Sequence, residues 1–191
     1  MALEPFTIEE HHYRRGSVLG LQKGEVKLVP HNPEWIKQFN QEKELLESLI
    51  GDYILGIEHI GSTAIEEIHA KPIIDIMIGL KPLNNARDIS LRTMQKAGYY
   101  RLRKQTVENK VIFAKFTALD SNRPLKTHYL HMVEYEGDWW KEHIAFRDRL
   151  NAEPNLAKEY ESLKLDLASQ YQDDVMAYAE QKLRFIKCVI Q

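Results

Sequence analysis

The sequence has little cysteine and no strong excess of either charge, and each shortage excludes a class of protein. Its one cysteine, Cys188, can form neither an intramolecular disulfide nor a multi-cysteine zinc site. Its 26 basic and 28 acidic residues give a formal net charge of −2. Proteins that bind nucleic acid usually carry a positive excess. We therefore do not expect a nucleic-acid partner.

Long apolar runs and a targeting segment are also missing. No stretch reaches the roughly 20 consecutive apolar residues that cross a bilayer, so we expect no membrane partner. The N-terminal residues have neither the basic region nor the apolar region of a secretory signal. The glycine-rich fingerprints of P-loop and dinucleotide-binding proteins are absent. These features predict a cytoplasmic protein and leave its oligomeric state open.

Apolar periodicity predicts an α+β fold. The 191 residues are enough for one buried core, and we assign residues 1–25 to an N-terminal extension and residues 26–191 to a single domain. Helices are predicted from Asn32 to Gly51, over residues 84–97, and from Trp139 to the end with a break near Pro154. The apolar stripe of the first helix is predicted to contain Ile36, Phe39, Leu46 and Leu49. Strands are predicted over residues 54–60, 73–78, 99–103, 111–118 and 125–134. Strands in the middle and helices at both ends favour a mixed or antiparallel sheet.

Asp75 stands out because it interrupts an almost fully apolar strand, residues 73–78. A carboxylate buried there without a partner would cost several kcal/mol. It must therefore lie at the end of the strand, be paired, or bind a cation. Lys71 is the nearest basic residue. A purely structural Asp75 that anchors a loop is the alternative.

Gly61, Ser62 and Thr63 form a second candidate feature, between the predicted strand at 54–60 and a short predicted helix. Glycine allows close backbone approach, and hydroxyls beside the free N–H groups of a helix start are suited to a phosphate. A simple helix N-cap explains the same residues without any ligand.

The segments IEHIGSTA (residues 57–64) and KPIIDI (residues 71–76) resemble the signature of the GrpB family. The likeness continues in residues 127–131, 146–150 and 182–186, and spans nearly the whole chain after residue 25. GrpB proteins are placed in the nucleotidyltransferase superfamily and are related to a domain fused to some dephospho-CoA kinases. The resemblance implies a mixed β-sheet flanked by helices, with a helical C-terminal part.

The superfamily motif matches Gly61, Ser62 and Asp75 but departs at Met77, where a second acidic residue is usual. The resemblance therefore implies Asp75 as a catalytic residue and as the ligand of Mg²⁺. Residues 75 and 77 share a strand face, where two carboxylates would bind a pair of Mg²⁺ ions. A thioether is a poor ligand for this hard cation. Two-metal catalysis in its usual form is therefore in doubt.

Other residues could contribute to the same site. Tyr129 and His131 share a face of their predicted strand, with His128 opposite. If that strand lies beside Asp75, His131 could act as a general base, although a structural histidine is an equal alternative. The resemblance also implies that Lys71, Arg147 and Lys182 offset phosphate charge; without it, Arg147 and Lys182 are ordinary surface charges.

These features support two main hypotheses about function. The first is a nucleotide-binding, nucleotidyltransferase-like protein that transfers a nucleotidyl group from a nucleoside triphosphate to an unknown acceptor. The alternative is a non-catalytic module that binds a nucleotide or a CoA precursor, or acts like a chaperone, through a degenerate site. A third reading is an interaction domain without a ligand. The partner expected under the first two is a phosphate-bearing small molecule.

Overall fold

The computed structural model describes residues 19–102, 110–117, 124–172 and 174–190. The helices of these residues are α1 Glu34–Ile50, α2 Leu91–Lys96, α3 Asp138–Ala152, α4 Pro154–Gln170 and α5 Val175–Ile190. The strands are β1 Gly56–Ile60, β2 Ile74–Leu80, β3 Tyr99–Arg101, β4 Lys110–Phe116 and β5 Lys126–Glu134. Three short 3-10 turns lie at Gly51–Tyr53, Ser62–Ala64 and Leu83–Arg87.

The strands form one mixed sheet in the order β1-β2-β5-β4-β3. Strands β2 and β5 are parallel, and the other neighbouring pairs are antiparallel. The predicted α+β class with a mixed sheet and a helical C-terminal part is thus confirmed. The topology places β2 beside β5, which brings the two strands with the candidate site residues together.

One face of the sheet, here called the α1 face, is a continuous apolar core. Ile74, Ile76 and Ile78 of β2 have no exposed surface and pack in one cluster with Trp35 and Phe39 of α1. The predicted apolar stripe of α1 named Ile36, but this side chain is 51% exposed. Trp35 takes the inward position instead, because a helix turns about 100° per residue and only one of two neighbours can point at the core.

The opposite face, here called the Asp75 face, carries Asp75, Met77 and Gly79 of β2, and α3 packs on it through Trp140. Gly56 and Gly79 are paired across β1 and β2. A Cβ at either glycine would lie 2.8 or 2.9 Å from the ring of Trp140 in α3. The two glycines therefore provide the space into which Trp140 packs.

Two local predictions differ from the structure. The helix expected over residues 84–97 is divided into the 3-10 turn Leu83–Arg87 and α2, because the Ser90 side chain accepts a hydrogen bond from the Thr93 N–H and starts a new helix there. The helix expected after Thr63 is the single 3-10 turn Ser62–Ala64. Such a turn is too short for a strong helix dipole.

The described end of the predicted extension packs onto the sheet. Leu21 is 4% exposed and forms a β-bridge with Lys126 at the start of β5. The Gly20 N–H donates to the Pro72 carbonyl over 2.6 Å. The domain boundary at residue 25 stays a prediction, but residues 20 and 21 already contact the strands that carry the site. Within the described residues, no helix is both long and apolar enough to cross a membrane.

Candidate functional site

Asp75 lies at the edge of the buried run, as the second residue of β2. Its side chain is 29% exposed, so the carboxylate avoids the cost of full burial. Ile60 of β1 and Tyr129 of β5 are its partners in the sheet register. The Nε2 atom of His131 lies 3.4 Å from the Asp75 Oδ1 atom. The structure thus brings Asp75 and His131 onto one face, as the alternation within β5 predicts.

Glycine is required at position 61 because the backbone there lies directly against the Asp75 side chain. Its φ of +73° is in the region that favours glycine. A Cβ at this position would overlap Asp75 Oδ2 and lie 2.9 Å from Asp75 Cγ. The glycine of the motif therefore lets the backbone of the turn approach the carboxylate directly.

Ser62 and Thr63 point in different directions. The Ser62 Oγ lies 3.3 Å from the hydroxyl of Tyr160 in α4 and faces the cavity described below. Thr63 is 3% exposed, and its Oγ1 lies 3.0 Å from His59 Nε2 and donates to the Ile73 carbonyl. Ser62 is therefore placed to contact a ligand, whereas Thr63 fixes the turn from the buried side.

A cavity of about 280 Å³ opens beside Asp75. Its walls come from residues 21–25, the starts of β2 and β5, and α5. Three half-buried lysines line it together with Asp75 and Ser62: Lys71, Lys126 and Lys182. The exposed side chains of Lys23 and Glu25 line it as well. Among the described residues, no carboxylate forms an ion pair with any of the three half-buried lysines. The cavity thus has a positive excess, and its lysines have no salt-bridge partner within the part of the chain that the structure describes.

Lys126 was missed by the sequence reasoning. In regular alternation it would share the face of His128, opposite Tyr129. The ladder between β4 and β5 shifts register at Lys115 and Phe116, however, and Phe116 is the partner of Lys126. The Lys126 Nζ donates to the Tyr129 hydroxyl over 2.5 Å. No local signal in the sequence marks this irregularity.

The environment of the cavity changes the proton affinity of two lysines. Burial, and after it the charge of Lys182, lower the pKa of Lys71 to about 8, although Asp75 acts in the opposite direction. The pKa of Lys182 is raised, chiefly by Tyr160 and then by Tyr178 and Asp75, against the effect of burial. Both ammonium groups are therefore charged at neutral pH and available to an anion.

A buried lysine that does not line the cavity, Lys164 of α4, was also missed. It is 1% exposed and donates to the His69 carbonyl. Its Nζ lies 4.7 Å from the ring centre of Tyr160. Burial lowers its pKa to about 7, and the charge of Lys182 acts in the same direction while Glu161 opposes it. Helical periodicity gives no sign that a lysine is buried here.

Arg147 lies outside this cavity. Its Nη1 donates to Glu58 Oε2 over 2.7 Å and to the His59 carbonyl over 2.9 Å. Its Nε donates to Asp148 Oδ1 over 2.8 Å. Both donating groups are thus bound to the chain itself. Contact between Arg147 and a phosphate stays a prediction that would require these bonds to be exchanged.

The residues beside Asp75 do not fit a two-magnesium centre. Met77 has no exposed surface and packs with Ile60, Val133 and Trp140. Glu58, opposite Met77 in the register, is bonded to Arg147. The described residues contain no group of three or more histidine, cysteine or acidic side chains arranged to hold a metal. Of the two described carboxylates that line the cavity, Asp75 is the half-buried one beside Ser62 and Lys71 and could reach a hard cation carried by a ligand, whereas Glu25 is exposed.

Comparisons with known proteins agree with this fold. A family model described as "GrpB protein" matches residues 25–191. The glutamate-rich protein GrpB of Alkalihalophilus pseudofirmus is 48% identical over 169 residues, which are 88% of this chain and 96% of that protein. A crystal structure of GrpB from Enterococcus faecalis superposes with a TM-score of 0.73 at 24% identity, and covers 86% of this chain and 97% of that one.

A weaker similarity extends to an enzyme of known name. The dephospho-CoA kinase of Mycolicibacterium paratuberculosis is 27% identical over 186 residues, which are 85% of this chain but only 44% of that protein. More than half of the kinase therefore has no counterpart here. The match over residues 25–191 and the 48% identical relative leave no doubt about the family. This chain belongs to the GrpB family.

Proposed function

We propose that this chain binds a nucleotide or a related phosphate-bearing small molecule in the cavity beside Asp75. The observation that carries the proposal is the convergence of Lys71, Lys126 and Lys182 on one cavity without carboxylate partners among the described residues. Lysine ammonium groups bind phosphate as point charges. Ser62 adds a hydroxyl, and Asp75 is the half-buried acidic group of the cavity, whereas Glu25 is exposed at its rim.

CoA-type nucleotides are the first compounds to test. The similarity to a protein named dephospho-CoA kinase supports this choice, although it covers less than half of that protein. A cytoplasmic location belongs to the same proposal, because nucleotides and CoA precursors are abundant there. The buried Met77 favours a binding role over two-metal chemistry.

Calorimetric titration with ATP and with dephospho-CoA tests the proposal. Lys182→Gln removes one charge from the cavity, and we expect affinity to fall about tenfold or more, because a hydrogen bond to a charged group contributes about 1.5–3 kcal/mol. Lys187→Gln is the matched control, since Lys187 lies on the same helix, is exposed and does not line the cavity. Equal losses in the two variants, or no binding to the wild type, would contradict the proposal.

A second candidate is nucleotidyl transfer from a nucleoside triphosphate to an unknown acceptor. The 3.4 Å approach of His131 to Asp75 favours it, because a histidine oriented by a carboxylate can accept the proton of an attacking hydroxyl. The acceptor oxygen would bond to the α-phosphorus and pyrophosphate would leave. Any Mg²⁺ would enter with the phosphates, with Asp75 as its protein ligand.

One substitution separates the two candidates. Asp75→Asn removes the negative charge that faces the bound phosphate, so a simple binding module should bind ATP more tightly in the absence of Mg²⁺. An enzyme would instead lose pyrophosphate release in the presence of Mg²⁺, as would His131→Gln. Measurement of ATP affinity and pyrophosphate release, each with and without Mg²⁺, therefore distinguishes them.

A further inference from the structure

The faces of the aromatic rings that line the cavity are already covered by other side chains of the protein. Two of the lining residues that the structure describes are aromatic, Tyr129 and Tyr178. Tyr178 is 2% exposed and packs in one cluster with Val26 and Leu167. The Nζ of Lys71 lies 4.1 Å from its ring centre. Tyr178 therefore has no free face on which a nucleobase could stack.

Tyr129 is covered in a similar way. The Nζ of Lys126 lies 4.4 Å from its ring centre and also donates to its hydroxyl. The His131 ring is 5.9 Å from the Tyr129 ring on the same sheet face. A base could stack here only by displacing an ammonium group that the bound phosphates themselves need. Stacking and phosphate binding would thus compete for Lys126.

The polar side chains that remain at the rim are poorly suited to reading a base edge. Gln22 and Glu25 are both exposed, and the Gln22 backbone N–H donates to Glu25 Oε2 over 3.2 Å. Strong discrimination arises when the wrong ligand leaves a buried polar group unpaired. An exposed side chain that finds no partner on the base can hydrogen-bond to water instead. A mismatched base would therefore lose little binding free energy at this rim.

The size of the cavity also indicates that it would not enclose a nucleobase together with the phosphates. At about 280 Å³ it lies at the small end of ligand pockets, which are typically about 300–1,000 Å³. The lysines would hold the phosphate end inside. Met176, which is 79% exposed, marks the rim on α5 where the remainder of a nucleotide would lie in solvent.

We infer that this cavity recognises the polyphosphate group of its ligand and does not distinguish one nucleobase from another. The inference rests on the proposed phosphate-binding function and specifies its substrate class. The ligands are compounds with two or more linked phosphates, whatever group is attached to them. Inorganic tripolyphosphate is expected to bind by the same contacts as a nucleoside triphosphate.

Titration of the wild-type protein with ATP, GTP, CTP, UTP and inorganic tripolyphosphate tests this inference. We expect the four nucleotides to agree within about threefold and tripolyphosphate to lie within about tenfold of them, which corresponds to about 1.4 kcal/mol. A preference of more than tenfold for one base would overturn the inference and leave the proposed nucleotide binding intact. Absence of binding by all five compounds would overturn both.

A variant tests the stacking argument directly. Tyr178→Leu removes a ring that, on this inference, contacts lysine and not base. The affinities for ATP and tripolyphosphate should therefore change by the same factor. If Tyr178 stacks on adenine, ATP alone will lose affinity, and the inference is wrong. The wild-type series decides the question by itself if this variant does not fold.

Discussion

The two faces of β2 differ in whether the lysines beside them are paired with carboxylates. On the α1 face, Lys115 is paired with Glu42 over 2.5 Å, so the charge at the edge of the apolar core is balanced by the chain. On the Asp75 face, three half-buried lysines line a cavity without an ion pair to any described carboxylate. The Asp75 face also carries the ion pair between Arg147 and Glu58. The unpaired lysines are therefore confined to the cavity, which has space for an anion from outside.

The histidines show the same contrast. His59 and His128 on the α1 face are 6% and 5% exposed, and burial lowers the pKa of each to about 4. His59 stacks on Phe39 with 4.8 Å between ring centres, which is a packing role. The His131 side chain is 16% exposed and lies beside Asp75. Of these three histidines, His131 has the placement needed for chemistry.

The largest effect on stability is expected at Met77, where Trp140 covers the Asp75 face. Met77→Asp restores the second acidic position of the superfamily motif, but it places a charge under Trp140 with no exposed surface. We expect the free energy of unfolding to fall by about 3–5 kcal/mol, the range seen when a buried charge lacks its partner. Urea denaturation measures this change.

Met77→Leu is the control for this substitution, because a similar apolar volume should cost less than about 1.5 kcal/mol. A Met77→Asp protein with wild-type stability that binds Mg²⁺ would show that the covered position is open to solvent. The distinction between the part of the Asp75 face that Trp140 covers and the part that lines the cavity would then be wrong.

A smaller effect is expected at Gly61. Gly61→Ala forces a side chain against the Asp75 carboxylate at a φ of +73°. Strain at such positions costs about 1–3 kcal/mol, and displacement of Asp75 should also weaken ligand binding. Gly51→Ala is the matched control, because a Cβ there meets no atom within 4 Å and φ is −53°. Thermal unfolding of both variants measures the difference, which should vanish if Gly61 does not constrain Asp75.

The buried Lys164 makes stability depend on pH. Its folded pKa of about 7 lies below the ordinary value of 10.5, so above pH 7 the unfolded chain holds a proton that the folded protein has lost. Stability therefore rises with pH over this window, by about 2 kcal/mol between about pH 7 and pH 9. Lys164→Met removes this contribution, and denaturation of both proteins across the range isolates it. Parallel pH profiles would exclude a neutral Lys164.

The smallest effect concerns ligand binding and Lys71. The pKa of Lys71 is about 8, so its charge is present below that pH and lost above it. Phosphate affinity should fall by about tenfold between about pH 7 and pH 9 as the charged fraction falls. Lys71→Arg keeps the charge and should remove this dependence. If the wild type and the arginine variant lose affinity equally with pH, the charge of Lys71 is not used.

Regular patterns made most of the fold predictable. The β-branched run of β2 and the alternation in β5 placed Asp75, Tyr129 and His131 correctly, since strand parity needs only local sequence. The break at Ser90 was not predicted, because a serine inside a helical pattern can either cap or continue a helix. Ile36 was assigned to the core in place of Trp35, since both neighbours are apolar and only tertiary packing selects one.

The candidate site was predictable in part for similar reasons. Gly61, Ser62, Asp75, Lys71 and Lys182 meet at one cavity. Arg147 and Thr63 lie elsewhere, because their partners are on β1 and on the loop before β2. Lys126 depends on a register shift and Lys164 on the packing of α4. Such contacts arise from tertiary structure and leave no periodic trace in the sequence.

The bridge between Leu21 and Lys126 has a consequence for the order in which segments of the chain fold and for their protection from amide exchange. One wall of the cavity comes from residues 21–25 and another from α5, so the first and last described segments meet there across the sheet. Such long-range contacts are costly in loop entropy and tend to form late in folding. A bound anion would hold residues 22–25 and α5 together, and amide exchange in these two segments would slow as one unit.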